Sequence, residues 1–383
     1  MACFWFLTLS LILTALLNTS HLSVSVGCYT RIFSFGDSLT DTGNYLRIFG
    51  NVSVNPAARV PYGETYFHHP TGRCSDGRLV LDFIAEKYGL PFVPPYLSGK
   101  SMMYFRHGAN FAVGGATAMN HSIFQEMGVP VVDTRVGFLA IQVQWFKELL
   151  TLLCSKSDCR EVLDNAYFFV GEMGINDYNT FYFAAVPFVE IKDYVPGVIN
   201  AIASAVRGLI ELGAKTIVVA GMIPLGCTPY YLTLFQTNQV EEYNSTTGCL
   251  DWPNEFSQYH NQLLSDELDK IGVAHPNAII IYADYYGAYM SLIQSPAQHG
   301  LKQTIVSCCG GGGPYNFAFS PYCGGEGCSL CKEPSEYISW DGLHMTDAVH
   351  KIIAQLVYSK LSCESKLTIN HTEGGQQSKD VVY

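Results

Sequence analysis

Five short apolar runs constrain the fold of this 383-residue chain more than any other feature of its sequence. The runs are nearly continuously apolar rather than alternating, which is typical of strands buried on both faces of a sheet. Segments with helical spacing, such as 198–212 and 255–271, lie between several of them. Long separations with intervening helices favour right-handed crossovers, so the sequence predicts an α/β fold with a mainly parallel five-stranded sheet. The runs are Arg31–Phe35, Gly108–Val113, Ala166–Val170, Thr216–Ala220 and Ala278–Tyr282.

The N-terminal thirty residues contain no Asp, Glu, Lys or Arg, and an apolar run extends from Cys3 to Leu17. This run is short for a bilayer-spanning helix and has the length of a signal-peptide core. We therefore predict a signal peptide over residues 1–27 and entry into the secretory pathway, ending in the vacuole or outside the cell. An uncleaved anchor is the alternative. No repeat or linker divides the rest, so residues 28–363 are predicted to form one domain and residues 364–383 a polar, flexible tail.

Cysteines and glycosylation sequons fit the same compartment. Removing Cys3 from the thirteen cysteines leaves twelve, an even number that an oxidising compartment favours. Cys328 and Cys331 have zinc-like spacing, but no second Cys-x-x-Cys pair accompanies them, so disulfides are favoured over a metal in the cysteine-rich segment 308–331. Four Asn-x-Ser/Thr sequons follow the signal, and we expect glycosylation on them. They begin at Asn51, Asn120, Asn244 and Asn370.

Charge and composition exclude several classes of protein. With 22 Lys and Arg against 33 Asp and Glu, the formal net charge is −11, which disfavours binding to nucleic acid. Only 14% of the residues are charged and 48% are hydrophobic, whereas disordered chains and coiled coils need much more charge. The charge says nothing about which small molecule might bind.

Groups that could take part in a reaction follow three of the five runs. In an open α/β sheet, ligands bind beyond the carboxyl ends of the strands. We expect Ser38 at a strand-to-helix turn, where its N–H at a helix N-terminus could stabilise an oxyanion, the alternative being a helix cap. Gly114 could offer its N–H to a ligand, or it could serve only a tight turn. Asn176 could donate through its amide, or it could be a turn-forming residue.

Asp341 and His344 lie shortly before the last segment whose apolar residues have helical spacing. A neutral imidazole is the natural base for a serine, and a carboxylate three residues away can hold its tautomer. The alternative is a surface Asp and a helix-capping His. The carboxylates of Asp37, Asp41 and Asp177 would suit a glycosidase, but the Ser–His set explains more of the pattern.

Four sequence blocks taken together resemble the GDSL family of the SGNH hydrolases, which is named for a Ser, a Gly, an Asn and a His. Further matches point to the plant GDSL esterase/lipase branch, and the resemblance extends from Phe35 to about Tyr358. The four blocks are Phe35–Ser38, Asn110–Ala116, Gly174–Asp177 and Trp340–His344, and the further matches are Pro61–Gly63, Gly72–Arg78 and Gly313–Asn316.

The resemblance implies a flavodoxin-like, three-layer α/β/α sandwich. It also implies that Ser38 is the nucleophile and one oxyanion donor, that the Gly114 N–H is the second donor, and that the Asn176 side chain is the third. His344 would act as general base and then acid, oriented by Asp341. No metal or other cofactor is expected.

The implied activity is hydrolysis of a carboxylic ester through an acyl-enzyme. The expected substrate is a short acyl or acetyl ester of a plant specialised metabolite, and the enzyme is expected to be a monomer. Two alternatives stay open: an acyltransferase that uses the same residues, and a catalytically silent binding or defence protein on the same fold.

Overall fold

A five-stranded parallel sheet forms the centre of the molecule in the computed structural model, which describes residues 28–50, 55–131, 134–154 and 159–358. The strand order is β2-β1-β3-β4-β5, and every pair of neighbours is parallel. The predicted sheet is therefore confirmed. Its strands are β1 (Arg31–Phe35), β2 (Gly108–Asn110), β3 (Ala166–Val170), β4 (Thr216–Ala220) and β5 (Ile279–Ala283).

Two strands differ from the sequence prediction. The second run was expected to be a strand as far as Val113, but β2 ends at Asn110, whose side-chain oxygen accepts the Ala112 N–H at 2.8 Å and turns the chain. Four of the five residues of β5 are only half-buried, whereas β2, at the other edge of the sheet, is buried throughout. Burial on both faces was therefore the wrong expectation for β5.

Helices cover both faces of the sheet, which makes the three-layer α/β/α sandwich. On one face α4, α8 and α10 pack side by side; on the other, α12 packs against α2 and α11. The helices in the described ranges are α1 (Asn44–Phe49), α2 (Val80–Lys87), α3 (His121–Glu126), α4 (Leu139–Leu153), α5 (Arg160–Leu163), α6 (Ile175–Phe183), α7 (Phe188–Ile191), α8 (Val195–Glu211), α9 (Pro229–Leu234), α10 (Asp251–Ala274), α11 (Tyr285–Gln294) and α12 (Asp347–Tyr358).

The strand order places a crevice beside β1. The chain goes from β1 to β2 on one side and later returns to β3 on the other, so the winding direction reverses at β1. The loops that follow β1 and β3 therefore diverge, and this switch point is where open α/β sheets bind ligands.

Disulfide bonds hold the irregular C-terminal part of the fold. The cysteine-rich segment forms two of them and no Cys328–Cys331 link, since the Cys328 thiol contacts the Tyr322 carbonyl oxygen instead. Short strands flank these bonds: β6 (Gln303–Ser307) pairs with β9 (Tyr337–Ser339), and β7 (Cys309–Gly310) pairs with β8 (Ser329–Leu330). The disulfides in the described ranges include Cys154–Cys159, Cys227–Cys249, Cys308–Cys331 and Cys309–Cys323.

Several sequence predictions fall outside the described residues: the signal peptide over 1–27, the tail over 364–383, and the sequons at Asn51 and Asn370. Of the other two sequons, Asn120 is exposed and caps α3 by accepting the Ser122 N–H at 3.0 Å. Asn244 is half-buried in a turn. No helix in the described ranges has the length and apolar character needed to cross a membrane.

The close pairing of β1 and β2 depends on Gly108, which gives a first prediction. Its φ of +107° is one that L side chains rarely adopt, and an added Cβ would overlap the Ile32 carbonyl oxygen. We expect Gly108→Ala to lower the free energy of unfolding by about 3 kcal/mol or more, measured by denaturant titration.

The matched control is Gly272→Ala. Gly272 lies in α10, where an added Cβ meets open space. Helix propensity should raise the free energy of unfolding of this variant by about 0.5–1 kcal/mol. Similar stabilities for the two variants would contradict the packing argument.

Candidate active site

Ser38 lies in a tight turn directly after β1, and this corrects one expectation. The Asp41 N–H donates to the Asp37 carbonyl oxygen at 2.9 Å, and the Leu39 N–H donates to Asp37 Oδ1 at 2.9 Å. The first helix begins only at Asn44, so Ser38 is not at a helix N-terminus. The side chain of Asp37 builds this turn, because its carboxylate accepts an N–H that no helix or sheet ladder takes up.

Asp341 and His344 reach the same place from the far end of the sequence. His344 Nε2 lies 2.8 Å from Ser38 Oγ, and His344 Nδ1 lies 2.7 Å from Asp341 Oδ2. The other carboxylate oxygen of Asp341 accepts the N–H groups of Leu343 at 3.1 Å and His344 at 2.9 Å. The predicted Ser, His and Asp therefore form one line of hydrogen bonds, and both ring nitrogens of His344 have a partner.

The interaction between Asp341 and His344 stabilises the charged form of each. Burial disfavours the charged form of His344, but the Asp341 carboxylate outweighs burial and holds the pKa of the imidazole well above its usual 6.5. Burial likewise opposes ionisation of Asp341, but His344 outweighs it and the pKa of this carboxyl lies below its usual value. The pair is thus arranged to stabilise an imidazolium.

Tyr62 is a member of the site that the sequence reasoning did not assign. Its hydroxyl donates to Asp341 Oδ2 at 2.8 Å, and its ring packs edge-on against Trp340. The Pro61–Gly63 block matched the family pattern, so a signal was present, but a tyrosine in a sequence does not reveal which carboxylate it will meet.

Two of the three predicted oxyanion donors, Gly114 and Asn176, line the same cavity as Ser38, but both are already engaged. The Gly114 N–H donates to Asp41 Oδ2 at 2.9 Å. The Asn176 side-chain amide donates to Asp37 Oδ2 at 3.0 Å and to the Ala116 carbonyl oxygen at 3.1 Å. The structure brings these groups together with Ser38, and their role toward an oxyanion stays a prediction.

The three aspartates that could have suited a glycosidase serve the backbone instead. Asp41 is buried and accepts four N–H groups, including those of Gly43 at 2.7 Å and Gly114 at 2.9 Å. Asp177 accepts the N–H groups of Ala118 and Met119 at 2.8 and 2.9 Å. These carboxylates are hydrogen-bonded and face inward, so they are poorly suited to act on a glycosidic bond.

A cavity of about 450 Å³ opens over Ser38 and His344. Aromatic side chains supply much of its wall, and its lining includes no Lys or Arg. The site can therefore hold an uncharged organic group against the serine hydroxyl. The aromatic residues of the lining are Tyr45, Tyr62, Tyr230, Phe317 and Tyr322.

Comparison with known proteins agrees with this geometry. The sequence profile of the GDSL-like lipase/acylhydrolase family matches residues 32–357. The chain belongs to this family. It is therefore a carboxylic ester hydrolase on a three-layer α/β/α fold.

Plant relatives match along most of their length. A GDSL esterase/lipase of Arabidopsis thaliana is 48% identical over 330 residues, which cover 85% of this chain and 83% of the relative. The sinapine esterase of Brassica napus is 47% identical over 329 residues, which cover 85% of this chain and 84% of that protein. A solved acetyl-xylooligosaccharide esterase from Geobacillus covers 89% of this chain at 13% identity, but its TM-score of 0.38 is too low to support an argument.

The charge distribution of this GDSL site gives a second prediction. In histidine-selective NMR titrations, His344 should titrate with a midpoint above 6.5, because Asp341 stabilises its cation. Burial lowers the pKa of His260 and His350 to about 3, so these two rings should stay neutral across the same range. In Asp341→Asn the His344 midpoint should fall, since the carboxylate that contributes most to raising it is then lost and burial still lowers it. A midpoint that does not move would show that Asp341 does not set it.

Proposed function

We propose that this GDSL hydrolase is a secreted serine esterase that works through an acyl-enzyme on Ser38. The observation that carries the proposal is the continuous hydrogen-bonded line from Ser38 Oγ through His344 to Asp341, open to a cavity at its serine end. This arrangement is the one by which a serine hydroxyl is activated toward a carbonyl carbon.

The chemistry follows from the positions of the atoms. His344 Nε2 removes the Ser38 proton while Oγ bonds to the ester carbonyl carbon, and the carbonyl oxygen becomes an oxyanion. When the tetrahedral intermediate collapses, the C–O bond to the alcohol breaks and the imidazolium gives its proton to the leaving oxygen. Water then attacks the acyl-enzyme with the same base, which releases the acid and restores the serine.

Of the two engaged donors, Asn176 is better placed to serve the oxyanion. One of its two amide hydrogens bonds the neutral carbonyl of Ala116 at 3.1 Å, and a charged oxyanion is a stronger acceptor that can replace a neutral one. The Gly114 N–H donates to the Asp41 carboxylate at 2.9 Å. Breaking this hydrogen bond to a charged acceptor costs more free energy than breaking the bond from Asn176 to the neutral Ala116 carbonyl. Asn176 should therefore be the larger contributor.

The proposed substrate is a small acyl ester of a plant specialised metabolite. The sinapine esterase among the relatives supports an ester substrate, since its name says that it acts on sinapine. The cavity is larger than an acetyl group needs, so the remaining space would hold the alcohol part of the substrate. Because no Lys or Arg lines it, an anionic acyl group would lack a counter-charge.

Secretion is part of the proposal. The uncharged, apolar N-terminus and the sequons support it, and four disulfides in the described ranges fit an oxidising compartment. Of the two sequons in the described ranges, Asn120 is exposed and is better placed for modification than the half-buried Asn244.

Covalent labelling tests the nucleophile directly. A fluorophosphonate should add once to the wild type by intact mass, and a short aryl acetate should be hydrolysed with a chelator present. Both should be lost in Ser38→Ala, because the attacking oxygen is gone. A folded wild type that neither labels nor hydrolyses would refute catalysis and favour a binding protein. Release of an ester when an alcohol acceptor is added would favour the acyltransferase.

Removing the amide of Asn176 tests the oxyanion site. We expect Asn176→Ala to lower kcat by about 10²–10³ with fluorophosphonate labelling still detectable, because one preorganised donor is lost. Asn200→Ala, at an exposed position of α8, is the control and should keep the wild-type kcat. Unchanged turnover in Asn176→Ala would remove this residue from the mechanism.

A further inference from the structure

Glu172 is a buried acid close to the nucleophile turn that the proposed mechanism does not use. It follows β3 by two positions, in the loop that faces the turn after β1. The two loops are in direct contact, since Gly171 lies against the Thr40 side chain and its N–H donates to the Phe35 carbonyl oxygen at 2.8 Å. The contact therefore places Glu172 close to the turn that carries Ser38, and Glu172 is not among the residues that line the cavity.

Among the described residues, no Lys or Arg lies beside Glu172, and the cationic form of His344 acts on its neighbour Asp37. The Glu172 side chain is 0% exposed, and neither carboxyl oxygen has a hydrogen bond of normal geometry, although the Ile175 N–H favours its charged form. Its neighbour is the carboxyl of Asp37, which is itself 2% exposed. No Lys or Arg is among the titratable groups that act on this pair. These groups are Asp177, His344, Tyr178, Tyr231 and Tyr285.

Two carboxyl groups placed side by side in the protein interior can form a hydrogen bond only if one of them keeps its proton. Burial, reinforced by the Asp37 carboxylate, holds the pKa of Glu172 well above its usual value, and burial raises the pKa of Asp37 to about 6. Both shifts favour a proton retained by the pair, and the pKa of Glu172 is the more strongly raised of the two.

Asp37 connects this acid to the reacting groups. Its Oδ2 accepts the Asn176 amide at 3.0 Å, and its Oδ1 accepts the Leu39 N–H at 2.9 Å. Any change in the orientation of the Asp37 carboxylate therefore moves both the amide proposed for the oxyanion and the turn that carries Ser38.

We propose that Glu172 is a positioning residue: in its protonated form it donates a hydrogen bond to Asp37, and this bond fixes the carboxylate that holds the Asn176 amide in place. The inference rests on the proposed function, since its effect is exerted through Asn176. If Glu172 only filled space, turnover would not depend on whether its side chain can donate a hydrogen bond to Asp37.

Two matched substitutions separate positioning from packing. Glu172→Gln keeps a donor toward Asp37, so its kcat should stay within about threefold of wild type. Glu172→Met has a similar length but no donor, and losing a hydrogen bond to a charged group should lower kcat by about 10- to 100-fold with KM little changed. Equal losses in the two variants, or no loss in Glu172→Met, would overturn the proposal.

A double-mutant cycle tests the route through Asn176. If Glu172 acts by holding that amide, Glu172→Met should lower kcat by less than about threefold further in an Asn176→Ala background. Losses that multiply in the double variant would show that Glu172 acts elsewhere and would overturn the proposal.

Infrared spectroscopy tests the proton itself and requires only Glu172→Gln, the variant that keeps a donor toward Asp37. The difference spectrum between wild type and Glu172→Gln at pH 8 should show the band of a protonated carboxylic acid. Its absence would overturn the proposal, whatever the stability of Glu172→Met. A wild type that fails both labelling and hydrolysis would refute the proposed function and, with it, the positioning role. An active wild type together with an unaffected kcat in Glu172→Met would refute only the positioning role.

Discussion

The pairing of β1 with β2 on one side and β3 on the other is the constraint on which the rest of the site depends. It places the winding reversal at the carboxyl end of β1, and the loops that leave β1, β2 and β3 must all pass through that crevice. Loops have no ladder to satisfy their N–H groups, and here they are too buried for water to do so. The crevice therefore needs acceptors of its own.

Buried carboxylates supply these acceptors. Asp41 binds the loops after β1 and β2 together, since it accepts N–H groups from Gly43 and Gly114. Asp177 holds the chain after Ala116, and Asp37 connects the nucleophile turn to α6 through Asn176. Charge-assisted hydrogen bonds are stronger than neutral ones, so three short acidic side chains can fix loops that have no regular structure.

The burial of these carboxylates also raises their pKa values. Burial raises the pKa of Asp177 to about 7 and that of Asp37 to about 6, so both pKa values are close to neutral pH. On the opposite side of Ser38, the segment after β9 brings Asp341 and His344, and the disulfides of residues 308–331 hold the chain leading to it. Ser38 thus lies next to the buried acid Asp37 in its own turn and contacts the Asp341–His344 pair through its hydroxyl.

Much of this could be predicted from the sequence. The five apolar runs determined the parallel sheet because strands buried on both faces need continuous apolar side chains, and the blocks around Ser38, Gly114, Asn176 and His344 determined the family. The limits of β2 and the exposure of β5 depended on neighbours that local patterns do not contain. The tertiary structure alone decided which acid meets which donor: that Tyr62 binds Asp341, that Asp41 occupies the Gly114 N–H, and that Glu172 lies against Asp37. Hydrogen bonds and pKa values depend on distances of a few ångströms between residues far apart in the chain, and only the folded packing fixes those distances.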